Sequence, residues 1–185
     1  MSTASNTVTA SNPLAALTAG PWTVDAGHSH IGFAVRHLVI AKVRGQFTEF
    51  TGTITVADDV LQSKVEATVV ANSIDTRDEG RDGHLRGTDF FDIEHNPTWS
   101  LVSTGIDAAG SSYVLHADLT IKGVTKPVTL TVTSFNAMPH PMNKKDAVGA
   151  NAVTKIKRSE FNMGKFAPNV SDDVTLSIAV EAVKE

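Results

Sequence analysis

The second half of the chain alternates apolar and polar residues with little interruption. Tyr113, Leu115, Ala117, Leu119 and Ile121 share one parity, and Val114, His116, Asp118, Thr120 and Lys122 share the other. Val128, Leu130 and Val132 alternate with threonines. Val174, Leu176, Ile178 and Val180 alternate with Thr175, Ser177, Ala179 and Glu181. Successive strand residues point to opposite faces of a sheet, so this period of two predicts antiparallel strands with one face on a core and one in water. Earlier in the chain the pattern is shorter. It covers His28 to His37, with Ile31, Phe33 and Val35 in phase, and Val65 to Ala71, with Val65, Ala67, Val69 and Ala71 in phase. Trp22 to Val24 and Ala147 to Ile156 also read as extended. Val43 to Val56 is extended too, but Phe47 and Phe50 fall on opposite parities. Two aromatics three apart predict a bulge or a kink between them, helped by Gly45 or Gly52.

Breaks in the pattern predict the connections. Lys122-Gly123-Val124 reads as the turn of a hairpin. Thr76-Arg77-Asp78-Glu79 has the form of a capping box and predicts a short helix over residues 76–87. Gly80 and Gly83 weaken that helix and Gly87 stops it. Asp89 to Pro97 reads as a loop carrying two aromatics, Phe90 and Phe91. The count is about eight strands, the number at which an up-and-down barrel closes with room for side chains or one small ligand. Periodicity alone does not separate such a barrel from a sandwich.

Composition agrees with an all-β chain. It contains 21 Val and 21 Thr among 185 residues, and β-branched residues suit pleated surfaces. The length suits one domain. Residues 1–21 are small and polar and read as a disordered arm, leaving residues 22–185 as the folded domain. With no cysteine, disulfides, thiolate metal sites and thiol nucleophiles are excluded. A net charge of -4 with 6% aromatics argues against nucleic acid as a partner. No stretch reaches the ~20 apolar residues of a transmembrane helix. The first Lys or Arg is Arg36, and the apolar patch Leu14 to Leu17 is too short for a signal-peptide core, so a cytoplasmic protein is expected.

Three groups of residues are candidates for a site. The inward strand faces hold Phe33, Val35, Val69, Leu115, Ala117, Leu119, Leu130, Val132, Leu176 and Ile178. These either fill a core or line a groove for an apolar chain, and Ala67, Ala71, Ala117 and Ala152 leave space for one. His28 and His30 share a strand face, which suits a metal pair. No third or fourth ligand stands at workable spacing, so no metal is expected, and a histidine-based metal-binding or redox-accessory protein remains the alternative reading. Arg81 and His84 sit on the short helix, where they either meet a ligand's head group or tie the helix to its neighbours as a lid. There is no G-x-S-x-G, G-x-G-x-x-G or P-loop motif. Asp58-Asp59 and Asp172-Asp173 read as solvated turn or strand-edge residues. No catalytic residue, cofactor or enzymatic activity is expected.

Several segments, in order, resemble the YceI-like family. They are Trp22-Thr23-Val24-Asp25, His28-Ser29-His30-Ile31-Gly32-Phe33, Val43-Arg44-Gly45-Gln46-Phe47, Arg81-Asp82-Gly83-His84-Leu85-Arg86, Asp89-Phe90-Phe91-Asp92, Leu119 to Val128 and Arg158-Ser159-Glu160-Phe161. The resemblance implies an eight-stranded antiparallel lipocalin-like barrel with a long interior groove. It implies non-enzymatic binding, storage or transport of a polyisoprenoid or similar long-chain apolar amphiphile, by a homodimer. On that basis the ten inward residues are expected to line the groove. The chain departs from the family at Phe161-Asn162-Met163-Gly164, where Phe-Gly is usual.

Overall fold

The computed structural model describes residues 17–110, 112–140, 142 and 144–185. The strands are β1 (Gly20–Val24), β2 (His30–His37), β3 (Ala41–Phe47), β4 (Phe50–Val56), β5 (Lys64–Val70), β6 (Ile74–Asp75), β7 (Thr98–Ala109), β8 (Ser112–Ile121), β9 (Val124–Pro139), β10 (Asp146–Lys157) and β11 (Val170–Lys184). Among the described residues one α-helix, α1, spans Glu79–Arg86. All pairings are antiparallel, and β1-β4-β5-β7-β8-β9-β10-β11 returns to β1, which closes an eight-stranded barrel.

The other three strands extend members of that ring. β11 pairs with β1 through Ala182 to Lys184 and with β2 through Val170 to Ala179. β1 and β2 are therefore one long strand, interrupted by the 3-10 turn Ala26–His28. In the same way β3 runs into β4, and β5 runs into β6. The break between β3 and β4 falls at Thr48-Glu49, the kink expected from the parity of Phe47 and Phe50. Both rings are buried as a result.

The two glycines beside that kink serve close packing. A Cβ on Gly45 would lie 2.4 Å from the Phe33 ring, and one on Gly52 would lie 2.9 Å from Val24. Lys122 and Gly123 turn the β8–β9 hairpin with φ of +51° and +72°, the left-handed pair that matches strand twist.

Beyond β6 the sheet is not continuous with β7, and α1 with residues 87–97 covers this end. Leu85, Phe91 and Ile93 pack there against the core. The capping-box expectation is corrected here. Asp78 is the N-cap and accepts the Arg81 amide at 3.0 Å. Thr76 is drawn away because its N–H and its hydroxyl both donate to the buried Asp82 carboxylate. Opposite α1, Arg158 is buried and donates to the carbonyls of Ser171 (2.9 Å), Val170 (2.8 Å), Lys165 (2.6 Å) and Met163. That clamp holds the 163–171 segment over the same end. Asn162 takes φ +58°, a left-handed conformation that asparagine tolerates better than most residues.

The arm boundary also moves. Residues 17–21 belong to the barrel: β1 starts at Gly20, Leu17 packs near Trp22, and the Trp22 indole donates to the Thr18 carbonyl at 3.1 Å. A short polar segment gives no periodic signal, so these contacts were not readable from the sequence. Residues 1–16 of the expected arm lie outside the described residues.

Two glycine substitutions are expected to act in opposite directions. Gly45→Ala pushes a methyl into the Phe33 ring and Thr76 and should destabilise by about 1–3 kcal/mol. A Cβ on Gly83 meets nothing within 4 Å, so Gly83→Ala should stabilise α1 by about 0.5–1 kcal/mol. Urea midpoints of the two variants check both signs.

Candidate functional site

The inward positions of β8 sample the barrel from one end to the other. Tyr113 and Leu115 line a cavity of about 170 Å³ at the β4–β5 end, and Ile121 lines a cavity of about 410 Å³ at the α1 end. Between them Ala117 and Leu119 are 1% and 0% exposed and line neither. β11 repeats the order, with Val174 and Leu176 on the larger cavity and Ile178 and Val180 on the smaller. In β2, Phe33 and Val35 face the larger and Ile31 the smaller. The interior is thus two apolar cavities separated by a packed neck.

Eight of the ten inward residues therefore line a cavity. Phe33, Val35 and Leu176 line the larger one. Val69, Leu115, Leu130, Val132 and Ile178 line the smaller one. Ala117 and Leu119 do not line a groove. They face inward as expected, but neighbouring strands close over them at the level of the neck. Ala67 and Ala152 border the smaller cavity, where their short side chains leave room.

The aromatics are the residues that strand periodicity did not assign to the site. Trp99 lines both cavities. Phe47 meets its indole edge-to-face at 5.2 Å, and Phe47 also packs on Phe91 and Phe33 at 5.5 and 5.9 Å. On the far side of the larger cavity, Phe90 stacks on Phe166 at 5.9 Å, and the His84 ring stands edge-on to each at 5.3 Å. Trp99 shares parity with Leu101, the one available signal, but two residues after a loop are too few to establish a strand face.

The basic side chains that line the interior stand at the α1 end, while Thr51, Ser63, Glu66 and Tyr113 are the polar residues bordering the smaller cavity. His37, Arg81, His84, Arg158 and Asn169 border the larger cavity, with no carboxylate among the described residues that line it. Their hydrogen bonds go largely to the protein. Arg81 donates to the Thr76 hydroxyl (2.7 Å) and carbonyl (2.8 Å), and His84 Nε2 lies 3.4 Å from Asp89. Hydrogen bonds from Lys165 and then His84 hold the Asp89 carboxyl below its usual range. Burial pushes the Arg158 guanidinium down, opposed by the nearby Asp172 charge. Leu38 and Phe166, on the rim of this cavity, are 48% and 47% exposed, so it reaches the surface here.

His28 and His30 do not form a pair. His30 lies over Gly32, while His28 Nδ1 sits 2.8 Å from Asp25 Oδ2, with Glu181 beside them. The three ligand atoms are within 4.8 Å of one another, yet Asp25 is already engaged. It accepts the Gly27 amide as the cap of the 3-10 turn. The hydrogen bond to Asp25 raises the His28 pKa and lowers that of Asp25. His28 is 68% exposed, so the cluster pins an exposed turn and adds nothing to either cavity. Among the described residues no helix is long and apolar enough to cross a membrane.

Comparisons with known proteins agree with this architecture. The YceI-like domain family model matches residues 22–182. The UPF0312 protein plu2095 of Photorhabdus laumondii is 35% identical over 159 residues, 85% of this chain and 82% of that one. The crystal structure of Burkholderia cenocepacia BcnA matches with a TM-score of 0.75 at 26% identity, covering 85% of this chain and 98% of that one. A polyisoprenoid binding domain from Saccharophagus degradans, implicated in plant cell wall breakdown, matches with a TM-score of 0.67 over 89% of this chain and 98% of its own. At 16% identity that likeness is one of fold.

The neck and the cavities should respond differently to added volume. Ala117→Trp has no space at the neck and should cost about 1–3 kcal/mol or more through overpacking. Ala152→Trp directs its indole into the smaller cavity and should cost clearly less. Denaturant titration of the ligand-free variants measures the contrast.

Proposed function

The chain belongs to the YceI-like family, and from that premise we propose that it is a non-enzymatic carrier or store for a long apolar, isoprenoid-like molecule held inside the barrel. The observation that carries this reading is the pair of apolar cavities, in line and sharing Trp99. A linear chain suits such a space better than a compact ligand does. Its affinity comes from burial, at about 0.8 kcal/mol for each CH₂ removed from water. Branched methyl groups fit a lining of Val, Leu, Ile and Phe side chains. The fold likeness to a polyisoprenoid binding domain supports the same ligand class.

Arg81 and His84 act in this proposal as parts of a lid. Their bonds to Thr76 and Asp89 fix α1 and its loop over the larger cavity. The polar side chains around that cavity are committed largely to structure, and among the described residues that line it no nucleophile is paired with a base, which supports binding without catalysis. Selectivity then follows from the length and girth of the interior.

Native mass spectrometry of the purified protein, followed by solvent extraction, tests the proposal. A mass excess that leaves with the solvent as a long-chain apolar compound is expected. A bare chain mass, together with no uptake of an added polyprenyl alcohol, would contradict it. Assembly as a homodimer, expected from the resemblance, belongs to the same proposal and is read from the mass of the native ion.

A further inference from the structure

Trp99 is 4% exposed, and its indole Nε1 is a buried donor with no hydrogen-bond acceptor, the one such side-chain atom among the described residues. A buried N–H left unpaired lowers stability, and most such groups in folded proteins have a partner. Phenylalanine would fill similar space at this position without that cost. The other tryptophan provides the contrast, because Trp22 Nε1 donates to the Thr18 carbonyl. The side chains set against Trp99 by ring contact and strand pairing carry no acceptor. Phe47 packs edge-to-face on it, Val69 stands opposite it on β5, and Phe91 and Leu101 continue the lining on either side. The indole borders both cavities, so an occupant of the barrel passes beside it.

We propose that Trp99 donates this hydrogen bond to an oxygen of the bound molecule. The ligand is then a long apolar chain that carries an acceptor oxygen, with the oxygen seated against the indole where Trp99 borders the cavities and the chain filling the apolar space beside it. A carbonyl fits best. It needs only the one N–H, whereas a hydroxyl brings a proton of its own into apolar surroundings, where it must find a further acceptor. This inference rests on the carrier reading given above. It adds a specific polar contact to a mode of binding that otherwise depends on length alone.

The test compares farnesylacetone, farnesol and farnesene as probes. Their affinities for the wild-type protein and for Trp99→Phe are measured by displacement of a fluorescent prenyl analogue. The two indole N–H signals are followed by nitrogen–proton NMR. The ketone should bind the wild type about tenfold more tightly than the hydrocarbon, the scale of one net hydrogen bond, with the alcohol between them. In Trp99→Phe the ketone and hydrocarbon should bind alike. The Trp99 indole proton should move downfield with the ketone, while that of Trp22 stays in place. The NMR result needs no variant, so it stands even if Trp99→Phe folds poorly. Equal affinity of the wild type for ketone and hydrocarbon, or an unmoved Trp99 signal with the ketone bound, would overturn the assignment and leave the carrier reading intact. Binding of none of the three probes would overturn both.

Discussion

Strand β11 pairs with β1 at one end and with β2 at the other, and the rest of the molecule depends on that double pairing. It closes the sheet, so no long edge is left along the barrel wall. It also makes β1 and β2 one strand with a turn looped out, and β3–β4 and β5–β6 follow with breaks of their own. The barrel is therefore longer than a simple eight-stranded ring and has room for two cavities. The same breaks leave a gap between β6 and β7, which α1 and the aromatic loop cover. Arg158 secures the opposite rim through backbone carbonyls.

The interior separates structural from functional demands along its axis. At the neck, Ala117 and Leu119 are packed to nearly zero exposure, and Val69, Leu130 and Trp99 are buried beside them where the cavities begin. On either side the lining is apolar but incompletely filled. An interior of this kind favours a guest that is long, flexible and mostly hydrocarbon, since its gain comes from removing apolar surface from water. Polar groups at the α1 end bond mainly within the protein, which leaves the Trp99 indole as the notable unpaired donor along the path.

Much of this was legible in the sequence, and the gaps have physical causes. Alternation in β8 and β11 identifies their inward faces because each strand is wet on the outside. It does not give depth. Leu115, Ala117, Leu119 and Ile121 look equivalent as a string, yet the first lies on one cavity, the next two on the neck and the last on the other cavity. Depth depends on register with distant strands. The phase slip between Phe47 and Phe50 did encode the kink. Thr76 misled as a helix cap because its competitor, the Asp82 carboxylate, is brought to it by α1 itself. Trp99 escaped notice because its strand emerges directly from a loop.

The central claim is that apolar burial along the barrel axis drives binding. Isothermal titration calorimetry with prenyl alcohols of increasing length, from geranyl to polyprenyl, tests it most directly. Affinity should rise with each isoprene unit and level off once both cavities are filled, while the heat-capacity change of binding becomes steadily more negative up to the same length. An affinity and a heat-capacity change that do not vary with chain length would contradict the account.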